Sequence, residues 1–501
     1  MKVIAIDIGT SSMKSLLYRE DGKLEKIFQQ EYYSTYPQEG YVEQDPESWK
    51  EALIYVLGEM GKYLKEVDTK AVALVVTSQR SSLIPMDKDG NPLRYAIMWQ
   101  DKRSLPQCNR LIKKYTMEAL YKKTGLRTNP YFVLPKILWL KENEPEIFAK
   151  TEKFIGVQDY VVHLMTGKYV TDHSQACRTL LMDIEKFEWD KKLLDIAGIS
   201  EDSLPDLVRP GTVSGNLVGE MKDLLGSESD LPVIISGGDQ QNAAVALGVI
   251  KEGRAEANTG TGSFIISATD KPFFDDDCRV LCQASAIPGK WIVEAGIFNT
   301  GAIYRWFRNQ FYNDVDADKA YSIMEKEAIY SDIGAGGITM IPHFHGSAAP
   351  YWNPRAKGLF FNLSLDSKRG DFTRALLEGI SSELATNVRL IEKSTHDIHL
   401  VSVAGGMTKS DLFCEIQSNF FGKKVIKFSN AEASSLGAAM IAFVNLGVYE
   451  NIEEAYENMS EKSYKAYKPD VNLKDIYTNL YNRKMVLYDA INFGEVYDAF
   501  D

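Results

Sequence analysis

MKVIAIDIGTSSMKSLLYREDG, residues 1–22, and NTGTGSFIISAT, residues 258–269, decide the fold between them. In the first stretch Val3 to Ile6 form an apolar run that reads as a buried strand. IGTSS comes next as a tight polar turn, Met13 to Tyr18 as a second strand, and Asp21-Gly22 as a hairpin turn into a third. The second stretch has the same design, a Gly/Thr/Ser turn leading into a strand. A further echo joins LPVIISGGDQQNAAVALG (231–248) to HLVSVAGGMTKSDLFCEI (399–416), each read as a strand, a Gly-Gly and a helix. Strand-like runs such as AVALVVTS (71–78) alternate with helical ones, which predicts α/β layers. Units recurring in one order predict two lobes of one design, spanning 1–249 and 250–501, with the boundary near Ile250–Gly253.

Bulk properties agree with a two-lobed globular chain. Its 501 residues exceed one ordinary core and divide naturally into halves of about 250. The net charge of -12 argues against a nucleic-acid partner, whose phosphates call for a basic surface. Five scattered cysteines read as reduced thiols rather than a disulfide framework. Asp7 breaks the first apolar stretch, so no signal peptide is read, and no apolar run approaches the roughly 20 residues that span a bilayer. A cytoplasmic protein with no membrane partner is expected. The Tyr-rich tail from about Asn451 reads as helical, packed back on a lobe.

Chemistry concentrates at the turns. In DIGTSS, Gly9 lets the backbone approach an anion, and the Thr10, Ser11 and Ser12 hydroxyls can surround phosphate oxygens with Lys14 adding charge. Asp7, at the strand end, can hold a magnesium ion, which favours carboxylate plus phosphate oxygens. A plain hairpin explains the same residues. TGTG, with Gly260 and Thr261, repeats this logic from the other lobe. Two such turns facing across a cleft would clamp a nucleotide's phosphates, which suits a reaction governed by positioning and charge neutralisation. Asp239 ends a strand and opens a helix. It is either an N-cap or a general base at the sheet edge where α/β proteins bind ligands. Gly405 and Gly406 in AGGMTKS offer a flat shelf for a base or merely close packing. Arg80 in SQRSS and Trp99 in WQDKR can meet hydroxyls and a carbon skeleton, or be an ordinary arginine and a core tryptophan. His343 and His345 in HFH lack a third ligand and read as loop structure.

With these residues in view, the chain resembles the FGGY carbohydrate kinases. DIGTSS, GYVEQDPESW, WQDKR, TGLRTNPYF, GDQQNAA, KEGRAEANTGTGSF and APYWNPRAKG carry the likeness over residues 3–485, closest to the glycerol and xylulose kinase branches. The resemblance implies two actin-like, ribonuclease H-like α/β lobes of the sugar kinase/Hsp70/actin superfamily with a central cleft. It implies ATP- and Mg2+-dependent phosphorylation of a primary hydroxyl on a small sugar or polyol, by a chain forming a dimer or tetramer. Asp239 matches the catalytic base and, with Asp7, the metal position. Gln240, Arg80, Ser81, Trp99, Tyr131 and Phe264 match the substrate side. Gly9, Thr10, Ser11, Ser12 and Lys14 match the first phosphate loop, and Gly260 with Thr261 the second. Gly301, Arg305, Gly405, Gly406, Met407 and Ser410 match positions around the nucleotide. Ser81 stands where glycerol kinases carry Glu, and Arg305 where they carry Gln, so the resemblance gives the reaction class and leaves the sugar open. The rival reading is an ATP-driven binding protein of the Hsp70 or actin type.

Overall fold

Val3, Ile4, Ala5 and Ile6 are fully buried in the computed structural model, which describes residues 1–227, 229–429 and 432–500. Their strand, Lys2–Ile8, pairs antiparallel with Ser12–Arg19, setting Asp7 opposite Lys14 and Ile8 opposite Met13, so IGTSS is a hairpin turn. The chain forms two compact units. The first holds 1–246, 270–292 and 432–460, and the second 247–269, 293–431 and 461–501.

In the first unit the sheet runs Leu24–Glu31, Ser12–Arg19, Lys2–Ile8, Ala73–Ser78, Pro232–Gly238 and Thr212–Asn216. The first three strands form an antiparallel meander, Ala73–Ser78 and Pro232–Gly238 continue parallel, and the last edge is antiparallel. Both faces of the parallel strands are covered, which is why ALVVTS is buried at every position instead of alternating. Helix Pro46–Glu66 covers one face. Asp45 caps it by accepting from Glu47 N, Pro46 fits its first turn, and Trp49, Leu53, Val56, Leu57 and Met60 enter the core.

The second unit repeats the pattern. Its strands run Trp291–Ile297, Ser263–Thr269, Arg254–Thr259, Leu400–Ala404, Lys424–Phe428 and Tyr464–Tyr467. Arg254–Thr259 pairs antiparallel with Ser263–Thr269 and parallel with Leu400–Ala404, and the last strand closes antiparallel. The two Gly/Thr/Ser turns are thus equivalent hairpins. The second echo is not an equivalence. Leu400–Ala404 lies directly beside its hairpin, as Ala73–Ser78 does, whereas Pro232–Gly238 lies one strand further out.

The chain also passes between units more often than a single boundary near Ile250 implies. Helix Ala433–Asn445 belongs to the first unit because Gly437 crosses helix Asp239–Ala246 so closely that a Cβ would fall 1.9 Å from Asn242 O. Tyr18 and Ser435 hydroxyls meet there at 2.9 Å. The tail is not wholly helical, since Tyr464–Tyr467 is the edge strand and only Lys474–Phe493 forms a long helix. The five cysteines are free and buried, and no helix among the described residues is long and apolar enough to cross a membrane.

Candidate active site

Asp239 is delivered by a defect in its own strand. Pro232–Gly238 slips register against Ala73–Ser78 between Ile235 and Gly237, a bulge that re-aims the residues beyond it. Gly237 sits at φ 114°, and a Cβ there would lie 2.3 Å from Ser174 Oγ. Gly238 is equally confined, since its Cβ would fall 2.6 Å from Arg80 Cδ. Asn242, one helical turn on, staples the arrangement: its amide donates to Thr77 Oγ1 at 2.9 Å and to the carbonyls of Gly237 and Gly238 at 3.1 and 3.2 Å. The GGDQQN sequence is therefore a rigid mount.

The carboxylate on that mount is not an ordinary cap. Its Oδ1 accepts from the N–H of the next residue, Gln240, at 2.7 Å, not from the N–H groups two or three residues on that an N-cap serves. Arg80 Nε lies 3.6 Å away, and the side chain keeps 25% exposure. Scarcity of water raises the Asp239 carboxyl above its usual range, while Arg80 and then Arg178 pull it down. Arg80 is 5% exposed, and its Nη1 donates to Gln241 Oε1 and Gln283 Oε1 at 3.1 Å each.

The first turn lies in the same unit. Gly9 N donates to Ser12 O at 2.9 Å, closing the hairpin. The turn's carbonyls are drawn inward: Gly9 O accepts from Tyr32 Oη at 2.7 Å and Gln79 Nε2 at 3.2 Å, and Thr10 O from Gln44 Nε2 at 3.1 Å. Among the described residues the Thr10 and Ser11 N–H groups donate to no protein acceptor. That leaves amide hydrogens for an anion. Burial, with Asp239 nearby, pushes the Asp7 carboxyl up to about 7 against the pull of Lys14. Lys14 itself is held 2.8 Å from both Glu432 oxygens.

Trp99 Nε1 donates to Thr10 Oγ1 at 3.1 Å, and its ring lies 5.1 Å from that of Tyr131. The aromatic pair beside Arg80 is thus tied to the first Gly/Thr/Ser turn. Ser81 is buried, at φ 69°, a left-handed conformation unusual outside glycine.

The remaining predicted residues lie in the second unit. Gly260 and Thr261 form the second turn, and their carbonyls hold the start of helix Gly301–Phe311, accepting from Gly301 N at 3.0 Å and Thr300 N at 2.9 Å. Gly301 and Gly405 are required by close approach. A Cβ on Gly301 would sit 2.3 Å from Gly260 O, and one on Gly405, at φ 98°, 2.2 Å from Thr259 O. Met407 is buried below Gly301, and Arg305 is exposed on the helix. Gly406 has open space around it. Ser410 caps helix Asp411–Phe421 and donates to Glu325 at 2.6 Å, so its hydroxyl is already engaged. Phe264 packs on the Gly296 backbone within this unit, whereas Arg80, Trp99 and Tyr131 belong to the first.

Four neighbours of the site escape sequence reading. Arg178, 3% exposed, stacks against Tyr131 and Phe132 at 5.1 and 4.9 Å, and Gln283 anchors Arg80 from a distant segment. Lys136 lies fully buried in helix Val133–Asn143. Gln241, also missed, does stand inside GDQQ, a motif that points to the site. In HFH, His343 is buried against Glu383 at 3.1 Å, while His345 is exposed.

The models of the FGGY family of carbohydrate kinases match in both halves, the N-terminal domain over residues 2–246 and the C-terminal domain over 255–446. The chain is 30% identical to a xylulose kinase of Bacillus subtilis, covering 98% of each chain. It is 33% identical to a glycerol kinase of Saccharolobus islandicus, over 90% of this chain and 89% of that one. A gluconate kinase structure from Lactobacillus acidophilus superposes with TM-score 0.93 at 26% identity, over 100% of this chain and 99% of that one.

Proposed function

The chain belongs to the FGGY family of carbohydrate kinases and is an ATP-dependent kinase acting on an alcohol group; on that premise we propose that Asp239 is the general base for phosphorylating a primary hydroxyl of a small sugar or polyol. The observation that carries this reading is the carboxylate on its glycine mount, partly open, unused as a helix cap and fixed by Arg80. As the acceptor oxygen attacks the γ-phosphorus, Asp239 takes its proton and ADP leaves. The raised carboxyl makes Asp239 a stronger base than an exposed aspartate. Arg80 keeps it ionised and aimed. Thr10 and Ser11 amides receive phosphate oxygens, and Trp99 with Tyr131 forms the wall for the carbon skeleton.

Asp7 and Asp239 also suit a magnesium ion. They would offer it hard carboxylate oxygens, close enough that one raises the other's carboxyl. When bound, it neutralises phosphate charge. In the second unit Gly260, Thr261, Gly301, Gly405, Gly406 and Met407 serve the nucleotide. Arg305 and Ser410 belong beside them on resemblance alone, Ser410 through its backbone, since Glu325 takes its hydroxyl. Phe264 is assigned to the acceptor on resemblance alone. We place the enzyme in the cytoplasm as a homo-oligomer. An Hsp70- or actin-type binding protein is not favoured, because both family matches are to carbohydrate kinases.

The test is ADP release with glycerol, D-xylulose and D-gluconate, each with product identified. Release that depends on one acceptor and yields its phosphate monoester is expected. ATP hydrolysis indifferent to all hydroxylated compounds would overturn the reading.

A further inference from the structure

The Lys136 amine is an unusual group to find at 0% exposure. Its Nζ donates to two main-chain carbonyls, Ser81 O at 2.6 Å and Tyr131 O at 2.9 Å. No carboxylate pairs with it among the described residues. An ammonium without an ion partner is costly in an interior, and an unbranched apolar side chain would fill the space with less penalty. The cost is visible in the amine itself, which burial pushes down to about 7, with Asp101 opposing and Arg103 adding to the shift. A neutral amine still carries hydrogens for both bonds.

The two acceptors belong to the acceptor wall. Ser81 follows Arg80 and holds its backbone at φ 69°, where a non-glycine residue is strained. Tyr131 stacks on Trp99 at 5.1 Å and carries the Arg178 guanidinium at 5.1 Å. A costly buried group and a strained residue therefore meet at one carbonyl. Neither improves stability there, but each restricts geometry.

We propose that Lys136 is a positioning residue for the acceptor: its clamp on the Ser81 and Tyr131 carbonyls sets the spacing between the Arg80 turn and the aromatic wall. The proposal rests on the assignment of Arg80, Trp99 and Tyr131 to the acceptor side. Loss of the clamp frees Ser81 to relax toward ordinary backbone angles, carrying the neighbouring Arg80 with it. Misplacement by about 1 Å can cost on the order of a hundredfold in an oriented reaction.

The experiment compares wild type with Lys136→Met, which keeps the unbranched volume, and Lys136→Gln, which keeps one donor. Steady-state kinetics use whichever of D-xylulose, glycerol or D-gluconate the wild type prefers. Lys136→Met is expected to raise KM for that acceptor at least about tenfold and leave KM for ATP within about twofold, with Lys136→Gln between. A lowered Tm with both KM values unchanged, or both raised alike, would assign Lys136 a purely structural role and overturn the proposal. Crystal structures of the two variants give an answer independent of turnover. A shifted Ser81 turn and altered Trp99–Tyr131 spacing support the clamp, and an unmoved wall refutes it. Should the wild type phosphorylate none of these acceptors, the functional reading fails while the structural comparison still judges Lys136.

Discussion

Glu383 shows how this chain manages a buried charge away from the reaction. It is 1% exposed, with His343 at 3.1 Å and the Lys484 ammonium on its other oxygen. Burial alone would raise its carboxyl, but Lys484 and His343 hold it down at about 2. Because the folded group titrates below the ordinary value of 4.5, its contribution is present above that pH and is lost as the pH falls from 4.5 toward 2. Glu383→Gln should therefore lower stability at pH 7, by about 3–5 kcal/mol since Lys484 is left buried and unpaired. Acid between those limits should erode the variant less than the wild type, and urea melts at pH 7 and pH 3.5 measure both effects. Such pairs are illegible in sequence: His343 and Lys484 lie far from Glu383 along the chain, as Glu432 does from Lys14. Asp239 and Arg80 are legible because each stands in a motif at a strand end. Arg178 and Gln283 are not, because nothing local distinguishes them from other buried polar residues.

At the scale of elements, glycine positions mark where backbones must touch. Gly405 approaches Thr259 O so closely, and at so positive a φ, that the strand Leu400–Ala404 could not otherwise pass the second turn. Gly405→Ala should strain the backbone by about 1 kcal/mol and force the turn aside as well. ATP KM is expected to rise at least about fivefold with acceptor KM nearly unchanged. An unaltered ATP KM in a folded variant would remove this turn from the nucleotide site. Gly437→Ala supplies a parallel test in the first unit, displacing helix Ala433–Asn445 from the helix that Asp239 begins and lowering kcat and Tm together. The hairpins are readable because a Gly/Thr/Ser turn between apolar runs has few alternatives. The Gly-Gly echo misleads because similar strands recur at different places in a sheet, and strand order depends on pairings that no local pattern encodes. Tyr464–Tyr467 reads as helix for a related reason: four residues at a sheet edge carry too short a period to distinguish.

At the scale of the whole molecule, each unit joins an antiparallel hairpin to parallel strands, and each ends a strand on a glycine-lined turn. The sequence conveys this duplication and the reaction class, but not the exchange of segments 270–292 and 432–460 into the first unit. That exchange brings Gln283 to Arg80 and Glu432 to Lys14. The acceptor is the part least determined by fold, since relatives named for xylulose, glycerol and gluconate share it. The most direct test concerns Asp239 on its glycine mount in the first unit. Asp239→Asn keeps the shape and the Gln240 hydrogen bond while removing the base. Measured by ADP release under saturating acceptor, its kcat should fall at least about a hundredfold, with ATP binding by calorimetry retained. Turnover near that of the wild type in the folded variant would contradict the account.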